Sequence, residues 1–536
     1  MRFLALLTLA AAAAAGVPSK PAGAPSKPNF IVLLTDDQDS LLQGLDDMPE
    51  TLALLRAGGR EYVNAFVDTP ICCPSRTSTL AGRFGHNLGQ QARQNWCGEF
   101  TGHAIENATW ITALQAAGYA TGLSGKYHNA PPQGFVPLGW GDFFSLNNEC
   151  QYYNNTFNDN GRHVAFGDAP SDYMTSLIGN RSLAFLRGAL AAAQPVLAYI
   201  APHASHMPTT PAAWYAEAPL PSYAAPRTPQ YNASGEGKHW VLAGQPPMSE
   251  RLAAGVDAIY TARHRALLSV DDIVRDVAAL LRAQGQLDNT YWFYTSDHVS
   301  ANAPRGAGAA PRAPPASPPS PPPLHTLSAA LPQGYNLGTF RLPVEKFHFL
   351  EADIHVPFLV RGPGVAPGST SSAIVSNIDI GATILDLAGA PPARTPTDGR
   401  SFAAELRGGA PLARDRTVIE YGRWGTGYVA RGPCAVGCGM CEGADGDMMM
   451  LVDGPSNVYS GLRIVNASHN IAYAEFAAGP HAAAGPQSTN WTECYDLNAD
   501  PWQMDNLAAK PGNAALLAQL SRELWAVAAC KGAECP

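Results

Sequence analysis

The stretch Asn-Phe-Ile-Val-Leu-Leu-Thr-Asp-Asp, residues 29–37, decides the fold. Its short apolar run is typical of a strand that is buried on both faces of a parallel sheet. The runs Val196 to Ile200 and Tyr291 to Tyr294 have the same form. Between these two runs, residues Ser249 to Ala283 place apolar side chains near helical spacing. Strands that alternate with helices predict an open α/β sheet.

Polar side chains follow each of these three predicted strands. In open α/β sheets, ligands gather beyond the carboxyl ends of the strands. A solvated turn explains any one of these polar clusters, but three together favour a common site. The residues that we expect to meet there are Asp36, Asp37, His203, His206, Asp297 and His298.

The first 16 residues, Met1 to Gly16, predict a secretory signal peptide because a basic start precedes an apolar stretch that ends in small residues. That stretch is shorter than the roughly 20 apolar residues of a membrane span, so we expect no membrane anchor. The protein is then secreted to the exterior or cell wall, or delivered to a lysosome-like compartment. Six Asn-x-Ser/Thr sequons agree with this route: Asn107, Asn154, Asn180, Asn232, Asn466 and Asn490.

Charge and cysteine content narrow the function further. A net charge of -9 offers no basic surface for nucleic acid, so we expect no such partner. The chain has 10 cysteines, which in an oxidising compartment favour disulfides. Cys434, Cys438 and Cys441 have spacing compatible with zinc, but no second Cys/His pair accompanies them, and disulfides are the preferred interpretation.

The chain is long enough for one large domain and a smaller partner. Residues 299–333 are rich in Pro, Ala and Ser, which predicts an extended, disordered insertion without a packed core. Beyond about residue 416 the composition becomes rich in Gly and Cys. We therefore expect a catalytic domain over residues 17–415 and a C-terminal subdomain over residues 416–536.

The motif Cys72-Cys73-Pro74-Ser75-Arg76, followed by Leu-Ala-Gly-Arg at residues 80–83, carries the most specific chemical signal. By itself, a cysteine before Pro-Ser-Arg is compatible with a disulfide partner, a thiolate nucleophile near a cation, or a modification site. Spacing alone does not choose among these three roles.

This motif resembles the signature of the formylglycine-dependent sulfatases, Cys-x-Pro-Ser-Arg, and the resemblance extends over nearly the whole mature chain. It implies an alkaline-phosphatase-like α/β fold: a large mixed, mostly parallel sheet flanked by helices, with a smaller C-terminal α+β subdomain. It also implies that a formylglycine-generating enzyme oxidises Cys72 to formylglycine (3-oxoalanine). In the family, the hydrated aldehyde attacks sulfur, and its second hydroxyl later expels sulfate.

The resemblance further implies one bound Ca²⁺ ion. Asp36 and Asp37 match the family's paired aspartates, and Asp297 and His298 match its second ligand pair, with the modified Cys72 beside them. Oxygen ligands suit calcium. The last position is often Asn in the family and is His298 here, and an imidazole nitrogen is a softer ligand than an amide oxygen.

Further matches imply the groups that bind sulfate and move protons. Arg76 belongs to the signature, and Lys126 and His128 match the family's Gly-Lys-x-His. Lys346, in Glu-Lys-Phe-His-Phe-Leu-Glu at residues 345–351, matches a lysine that contacts sulfate and leaving group. For the remaining acid, a His-x-Pro pattern favours His206, whereas the Ala-Pro-His segment favours His203.

Within the family, the chain most resembles N-acetylglucosamine-6-sulfatases and secreted algal-type arylsulfatases. The expected substrate is therefore a sulfated sugar, such as N-acetylglucosamine 6-sulfate, or an aryl sulfate. Two alternatives stay open at this point: a phosphonate or phosphate ester hydrolase of the same superfamily, and a non-catalytic extracellular carbohydrate-binding protein. The second alternative predicts an unmodified Cys72 and no turnover.

Overall fold

The computed structural model describes residues 27–40, 43–88, 105–129, 134–147, 151–298, 336–343, 346–422, 457–477 and 488–536. The predicted signal peptide, the Pro-rich insertion and the cysteines at positions 434, 438 and 441 lie outside these residues. Among the described helices, none is both long and apolar enough to cross a membrane.

A large mixed sheet forms the centre of the fold. Its described strands follow the order β10-β2-β9-β8-β1-β7-β3-β4-β5-β6. The run β8-β1-β7-β3-β4 is entirely parallel, and the outer pairs β4/β5, β5/β6, β8/β9 and β2/β9 are antiparallel. The strands are β1 (Asn29–Thr35), β2 (Arg60–Phe66), β3 (Ala120–Gly125), β4 (Asp142–Leu146), β5 (Thr156–Asp159), β6 (Arg162–Ala165), β7 (Val196–Ala201), β8 (Thr290–Ser296), β9 (Phe358–Arg361) and β10 (Ser369–Ser376).

The three apolar runs of the sequence are adjacent strands. β1 pairs in parallel with β7 on one side and with β8 on the other. Every residue of β1 is buried, and successive side chains enter different clusters: Phe30 and Val32 pack in one core, Ile31 and Leu33 in the other. A strand that is apolar at every position is therefore required, because both faces of the sheet are covered. The predicted mostly parallel α/β sheet is confirmed.

Helices cover both faces. The α-helices are α1 (Pro49–Thr51), α2 (Cys72–Ala81), α3 (Trp110–Ala116), α4 (Met174–Ala191), α5 (Trp240–Ala243), α6 (Glu250–Ala283), α7 (Glu351–Ile354), α8 (Asp379–Ala388), α9 (Ala403–Leu406) and α10 (Ala514–Val527), and a π-helical turn, Leu52–Ala57, continues α1. One-turn helices lie at Gly85–Asn87, Glu106–Ala108, Pro170–Asp172, Ala213–Tyr215, Leu287–Asn289, Leu507–Ala509, Pro511–Asn513 and Gly532–Glu534.

The long helix α6 begins where the sequence predicts a helix. Its N-cap is Ser249, whose side chain accepts a hydrogen bond from the backbone N–H of Leu252. Such a cap satisfies one of the N–H groups that the first helical turn leaves without a partner. Together with α4, this helix packs on the β1 face that contains Ile31 and Leu33.

A second, antiparallel sheet follows in the chain. It has the order β11-β12-β13-β14, with β11 (Arg416–Tyr421), β12 (Tyr459–Val465), β13 (Asn470–Ala477) and β14 (Thr489–Asp496). Leu520 and Leu524 of α10 pack against it. The chain then closes with a disulfide between Cys530 and Cys535. This sheet begins at Arg416, although the division into two domains stays a prediction.

The small sheet also supports the segment that follows Lys346. Asn457 and Tyr459 both donate hydrogen bonds to the backbone carbonyl of Phe347, at 3.3 and 3.1 Å. Phe347 has a φ of 84°, a conformation that L-residues rarely adopt. The two hydrogen bonds fix this conformation and, with it, the direction of the neighbouring Lys346.

Candidate active site

The carboxyl ends of four adjacent parallel strands, β8-β1-β7-β3, carry the polar residues that the sequence singles out. Asp36 and Asp37 follow β1, and Asp297 and His298 follow β8. Because parallel strands end at the same edge of a sheet, residues far apart in sequence meet here. The structure thus brings the predicted residues together at one place. They are Asp36, Asp37, Cys72, Arg76, Lys126, His128, His203, His206, Asp297, His298 and Lys346.

Cys72 is the first residue of α2 and is 2% exposed. It is a free cysteine, whereas its neighbour Cys73 is disulfide-bonded. Its Sγ lies 3.1 Å from His298 Nε2 and 3.3 Å from Lys346 Nζ. Burial raises the pKa of the thiol, but nearby Lys126 and Lys346 outweigh burial and lower it. The structure therefore excludes the role of disulfide partner and leaves a nucleophile or a modification site.

A group of metal-ligand atoms surrounds Cys72. One ligand atom each from Asp36, Asp37, Cys72 and His298 lies within 4.8 Å of all the others, and all four residues are buried. Asp37 Oδ2 is buried without a hydrogen-bond partner. A buried carboxylate oxygen left in this state is costly unless a cation binds it. The donor set therefore fits a divalent metal ion.

Asp297 is held differently from the other carboxylates. Its Oδ2 accepts a hydrogen bond from Arg76 Nε at 2.8 Å. Its Oδ1 accepts from the backbone N–H groups of Asp37 and His298, at 3.3 and 3.0 Å. These bonds connect the β8 end to the β1 end and hold Asp297 beside the four-residue group.

Three cationic side chains neutralise the carboxylates. Lys126 Nζ lies 2.7 Å from Asp36 Oδ2, and Lys346 Nζ lies 3.0 Å from Asp37 Oδ1. Burial raises the pKa of Asp36, but Lys126, His206 and Arg76 overcome this and hold it well below its usual range. Lys126, Lys346 and Arg76 together line the site with buried positive charges, which suit an anionic group.

The two candidate histidines of the β7 end occupy different environments. His203 is engaged at both ring nitrogens, with Nδ1 3.0 Å from Asp36 Oδ2 and Nε2 3.2 Å from the Met207 carbonyl. His206 hydrogen-bonds Cys72 and has Nε2 3.7 Å from Asp37 Oδ2. Burial lowers the pKa of His206, but Asp37 and Asp36 outweigh burial and raise it to about 9. Of the two, His206 is the one that contacts the cysteine.

His128 is buried next to α2. Its Nε2 lies 3.2 Å from Thr77 Oγ1. Burial, with Arg76 and Lys126 nearby, lowers the pKa of His128 to about 3, so this imidazole is neutral at physiological pH. A neutral imidazole is able to accept a proton from a nearby hydroxyl.

A buried network that no sequence motif marks holds α2 in place. Asn377 Nδ2 donates to Asp68 Oδ1 at 3.0 Å and to Thr79 Oγ1 at 3.1 Å. Asp68 Oδ2 accepts from Ser78 Oγ at 2.6 Å. Asp68 and Asn377 are separated by 309 positions, so only the fold brings them together. The network fixes the helix whose first residue is Cys72.

The fold is alkaline-phosphatase-like, and its strand ends bring together a free cysteine, candidate metal ligands and buried cations, as in an ester hydrolase. The family model described as Sulfatase matches residues 28–390. The chain therefore belongs to the sulfatase family, and it is an enzyme that hydrolyses sulfate esters.

Individual relatives agree with this assignment. The human N-acetylglucosamine-6-sulfatase is 33% identical, and the alignment covers 99% of this chain and 90% of the relative. An arylsulfatase of Volvox carteri is 27% identical, with 96% of this chain and 76% of the relative covered. A solved structure of a protein in complex with its substrate D-glucosamine-2-N,6-O-disulfate has a TM-score of 0.67 at 19% identity, covering 93% of this chain and 97% of that one. At that identity the structure supports the fold alone.

Proposed function

We propose that this protein is a secreted sulfatase that removes the 6-sulfate from a sulfated glucosamine, with a formylglycine made from Cys72 and one bound Ca²⁺. One observation carries the proposal. Cys72 is a free thiol at the start of α2, in contact with His298, Lys346 and His206, while the adjacent Cys73 is disulfide-bonded. A structural cysteine has no need of these three partners.

The calcium ligands in this proposal are Asp36, Asp37, Asp297 and His298, together with the modified residue 72. The orphaned Asp37 Oδ2 and the crowding of buried carboxylates support them. When bound, the cation polarises the sulfate and the formylglycine oxygen. Carboxylate oxygens favour Ca²⁺ over softer metals, which prefer nitrogen and sulfur.

Lys126, Lys346 and Arg76 bind and orient the sulfate in this proposal. All three are buried, which strengthens their attraction for the charge that develops on the sulfuryl oxygens. His206, which hydrogen-bonds Cys72 and has Nε2 3.7 Å from Asp37 Oδ2, serves in this proposal as the proton donor to the leaving oxygen. Neutral His128, which lies near Arg76 and Lys126, serves as the proton acceptor for the hydroxyl at residue 72. His203 orients Asp36 through Nδ1 and has no free ring nitrogen for the substrate.

The substrate class rests on the relatives. Their printed names include N-acetylglucosamine-6-sulfatase, and a protein of the same fold binds D-glucosamine-2-N,6-O-disulfate. The arylsulfatase relative makes aryl sulfates the second class to test. Secretion is supported by the segment Met1 to Gly16, the sequons and the disulfide Cys530–Cys535.

Two measurements test the proposal. Peptide mass spectrometry of the secreted protein should find residue 72 as an aldehyde, and the purified protein should release sulfate from N-acetylglucosamine 6-sulfate. Matched 4-nitrophenyl sulfate and phosphate serve as comparison substrates. An unmodified Cys72, in a host able to make formylglycine, contradicts the nucleophile. Faster hydrolysis of the phosphate ester contradicts the substrate class.

A further inference from the structure

Arg263, in the middle of α6, makes contact with the backbone of the metal-ligand group. Its side chain is 1% exposed. Nη2 donates to the carbonyl oxygen of Asp37 at 2.8 Å and to Asp39 Oδ1 at 2.9 Å. The guanidinium thus connects a long helix to the loop that follows β1. No motif of the sequence singles out this arginine.

The backbone of Asp37 is in a conformation that needs support. Its φ is 60°, in the left-handed region. An L-residue held there costs about 1–3 kcal/mol and persists only where the surroundings determine it. The direction of the Asp37 carboxylate depends on this backbone conformation. In that direction Oδ1 contacts Lys346, and Oδ2 has no hydrogen-bond partner.

Different groups hold the successive peptides of this loop. The carbonyl of Asp36 accepts from the backbone N–H of Ser205 at 2.8 Å. The N–H of Gln38 donates to Ser296 Oγ at 2.9 Å. The carbonyl of Asp37 receives its short bond from Arg263, and the hydroxyl of Ser205 lies farther away, at 3.5 Å. Arg263 therefore makes the principal hydrogen bond to the peptide group between Asp37 and Gln38.

We propose that Arg263 is a positioning residue for the divalent cation: by fixing the Asp37 carbonyl and Asp39, it keeps the Asp37 carboxylate directed toward the metal. This inference rests on the metal site of the proposed function. Arg263 does not bind the metal itself; it acts through its hydrogen bonds to the Asp37 carbonyl and to Asp39. Groups that orient metal ligands typically contribute about 10- to 100-fold in metal affinity.

If the effect of Arg263 is purely electrostatic, its removal should change the metal affinity in the opposite direction. A guanidinium near the cation repels it, so removal of the charge strengthens metal binding if positioning is unimportant. Lysine keeps the charge, but its shorter side chain does not bring Nζ to the place of Arg263 Nη2, the one nitrogen that donates to both acceptors. The variants Arg263→Lys and Arg263→Met therefore distinguish the effect of the Arg263 hydrogen bonds on metal affinity from the effect of its charge.

The test is calcium titration of the full-length secreted protein by calorimetry, with circular dichroism as a check of folding. Positioning predicts that both variants bind Ca²⁺ at least about tenfold more weakly than wild type. Arg265→Lys is the matched control, because Arg265 lies on the same helix and donates to the Ala218 carbonyl instead. Wild-type affinity in Arg263→Lys, or tighter binding in Arg263→Met, overturns the inference.

A second variant keeps the test decisive if Arg263 variants do not fold. Asp39→Asn removes the charged acceptor that holds Arg263 Nη2 next to the Asp37 carbonyl, and it should also weaken Ca²⁺ binding, by a smaller factor. Unchanged binding in folded Asp39→Asn overturns the inference. Wild-type protein that binds no Ca²⁺ overturns the metal site itself, an outcome that is distinct from a failure of Arg263 alone.

Discussion

Lys346 Nζ lies 3.3 Å from Cys72 Sγ, although 274 positions separate the two residues in the chain. The same ammonium lies 3.0 Å from Asp37 Oδ1. One side chain therefore contacts both the proposed nucleophile and a candidate metal ligand. Asp37 and Cys72 raise the pKa of Lys346 despite its burial, so the ammonium stays charged at any working pH.

Replacement of Lys346 by alanine should lower kcat about 10²- to 10³-fold, because one buried donor to the developing negative charge is lost. Sulfate release from 4-nitrophenyl sulfate measures the effect. Lys510→Ala is the control, since that lysine pairs with Asp505 on the exposed surface. Loss of less than threefold in folded Lys346→Ala would sink the assigned role.

Cys72→Ala should abolish turnover while it leaves the fold intact, if the thiol is the precursor of the nucleophile as proposed. The matched control is Cys494→Ala, which removes the other free cysteine of the described residues. Cys494 lies in β14, in the core of the small sheet, and should cost stability but not activity. Activity of Cys72→Ala equal to wild type is incompatible with the mechanism.

Replacement of the two histidines after β7, His203 and His206, should lower kcat to different extents. His206→Gln removes the proton donor and should lower kcat about 10²- to 10⁴-fold. His203→Gln removes the bond to Asp36 Oδ2 and should lower kcat at least tenfold less than His206→Gln does. Steady-state kinetics of both variants on one substrate decides the assignment. The reverse order of effects would exchange the two roles.

Removal of calcium should destabilise the protein. Without the cation, the buried carboxylates of Asp36, Asp37 and Asp297 repel one another. At a metal concentration 100 times Kd, binding stabilises the folded state by about 2.7 kcal/mol. Thermal unfolding should therefore shift to lower temperature in a chelator, and Asp37→Asn should reduce that shift. A melting temperature independent of calcium in wild type contradicts the metal site.

The sequons should differ in occupancy. The side chain of Asn232 is half-buried, and its Nδ2, the atom that would carry a glycan, donates to the Met248 carbonyl at 3.5 Å, so we expect little or no glycan there. Enzymatic release of glycans in heavy-oxygen water, followed by mass spectrometry, measures each site. A glycan found on Asn232 in active protein contradicts this expectation. The five sequons expected to accept glycans are exposed: Asn107, Asn154, Asn180, Asn466 and Asn490.

The elements that depend on local pattern are predictable from sequence. The apolar runs match β1, β7 and β8 to within two residues, and the pattern Ser249 to Ala283 matches α6 with Ser249 as its cap. Their polar ends meet because parallel strands end at one edge. The sulfatase signature supplies Cys72 and Arg76, and other matches to the family supply Lys126, His128 and Lys346. The boundary at residue 416 and the residue roles stay predictions.

The supports of the site are not predictable in this way. Arg263 looks like any arginine on an amphipathic helix, and Asp68 and Asn377 belong to no motif. Their importance comes from hydrogen bonds across 226 and 309 positions, which sequence spacing does not encode. The left-handed backbone of Asp37 is also hard to predict, because aspartate adopts that conformation more often than most L-residues but still rarely. The sequence leaves His203 and His206 as alternatives, and the proposal of His206 rests on its ring contacts.

Asn457 and Tyr459 hydrogen-bond the Phe347 carbonyl, so the position of the adjacent Lys346 depends on residues that are translated more than 100 positions later. A ribosome that stops before residue 457 releases a chain with Cys72, Asp36 and Asp297 but without the groups that fix the Lys346 segment. Chains that end after Lys346 but before Asn457 should therefore be inactive, even though every proposed site residue has been translated. Sulfatase activity in a cell extract would then come only from chains that extend past Tyr459.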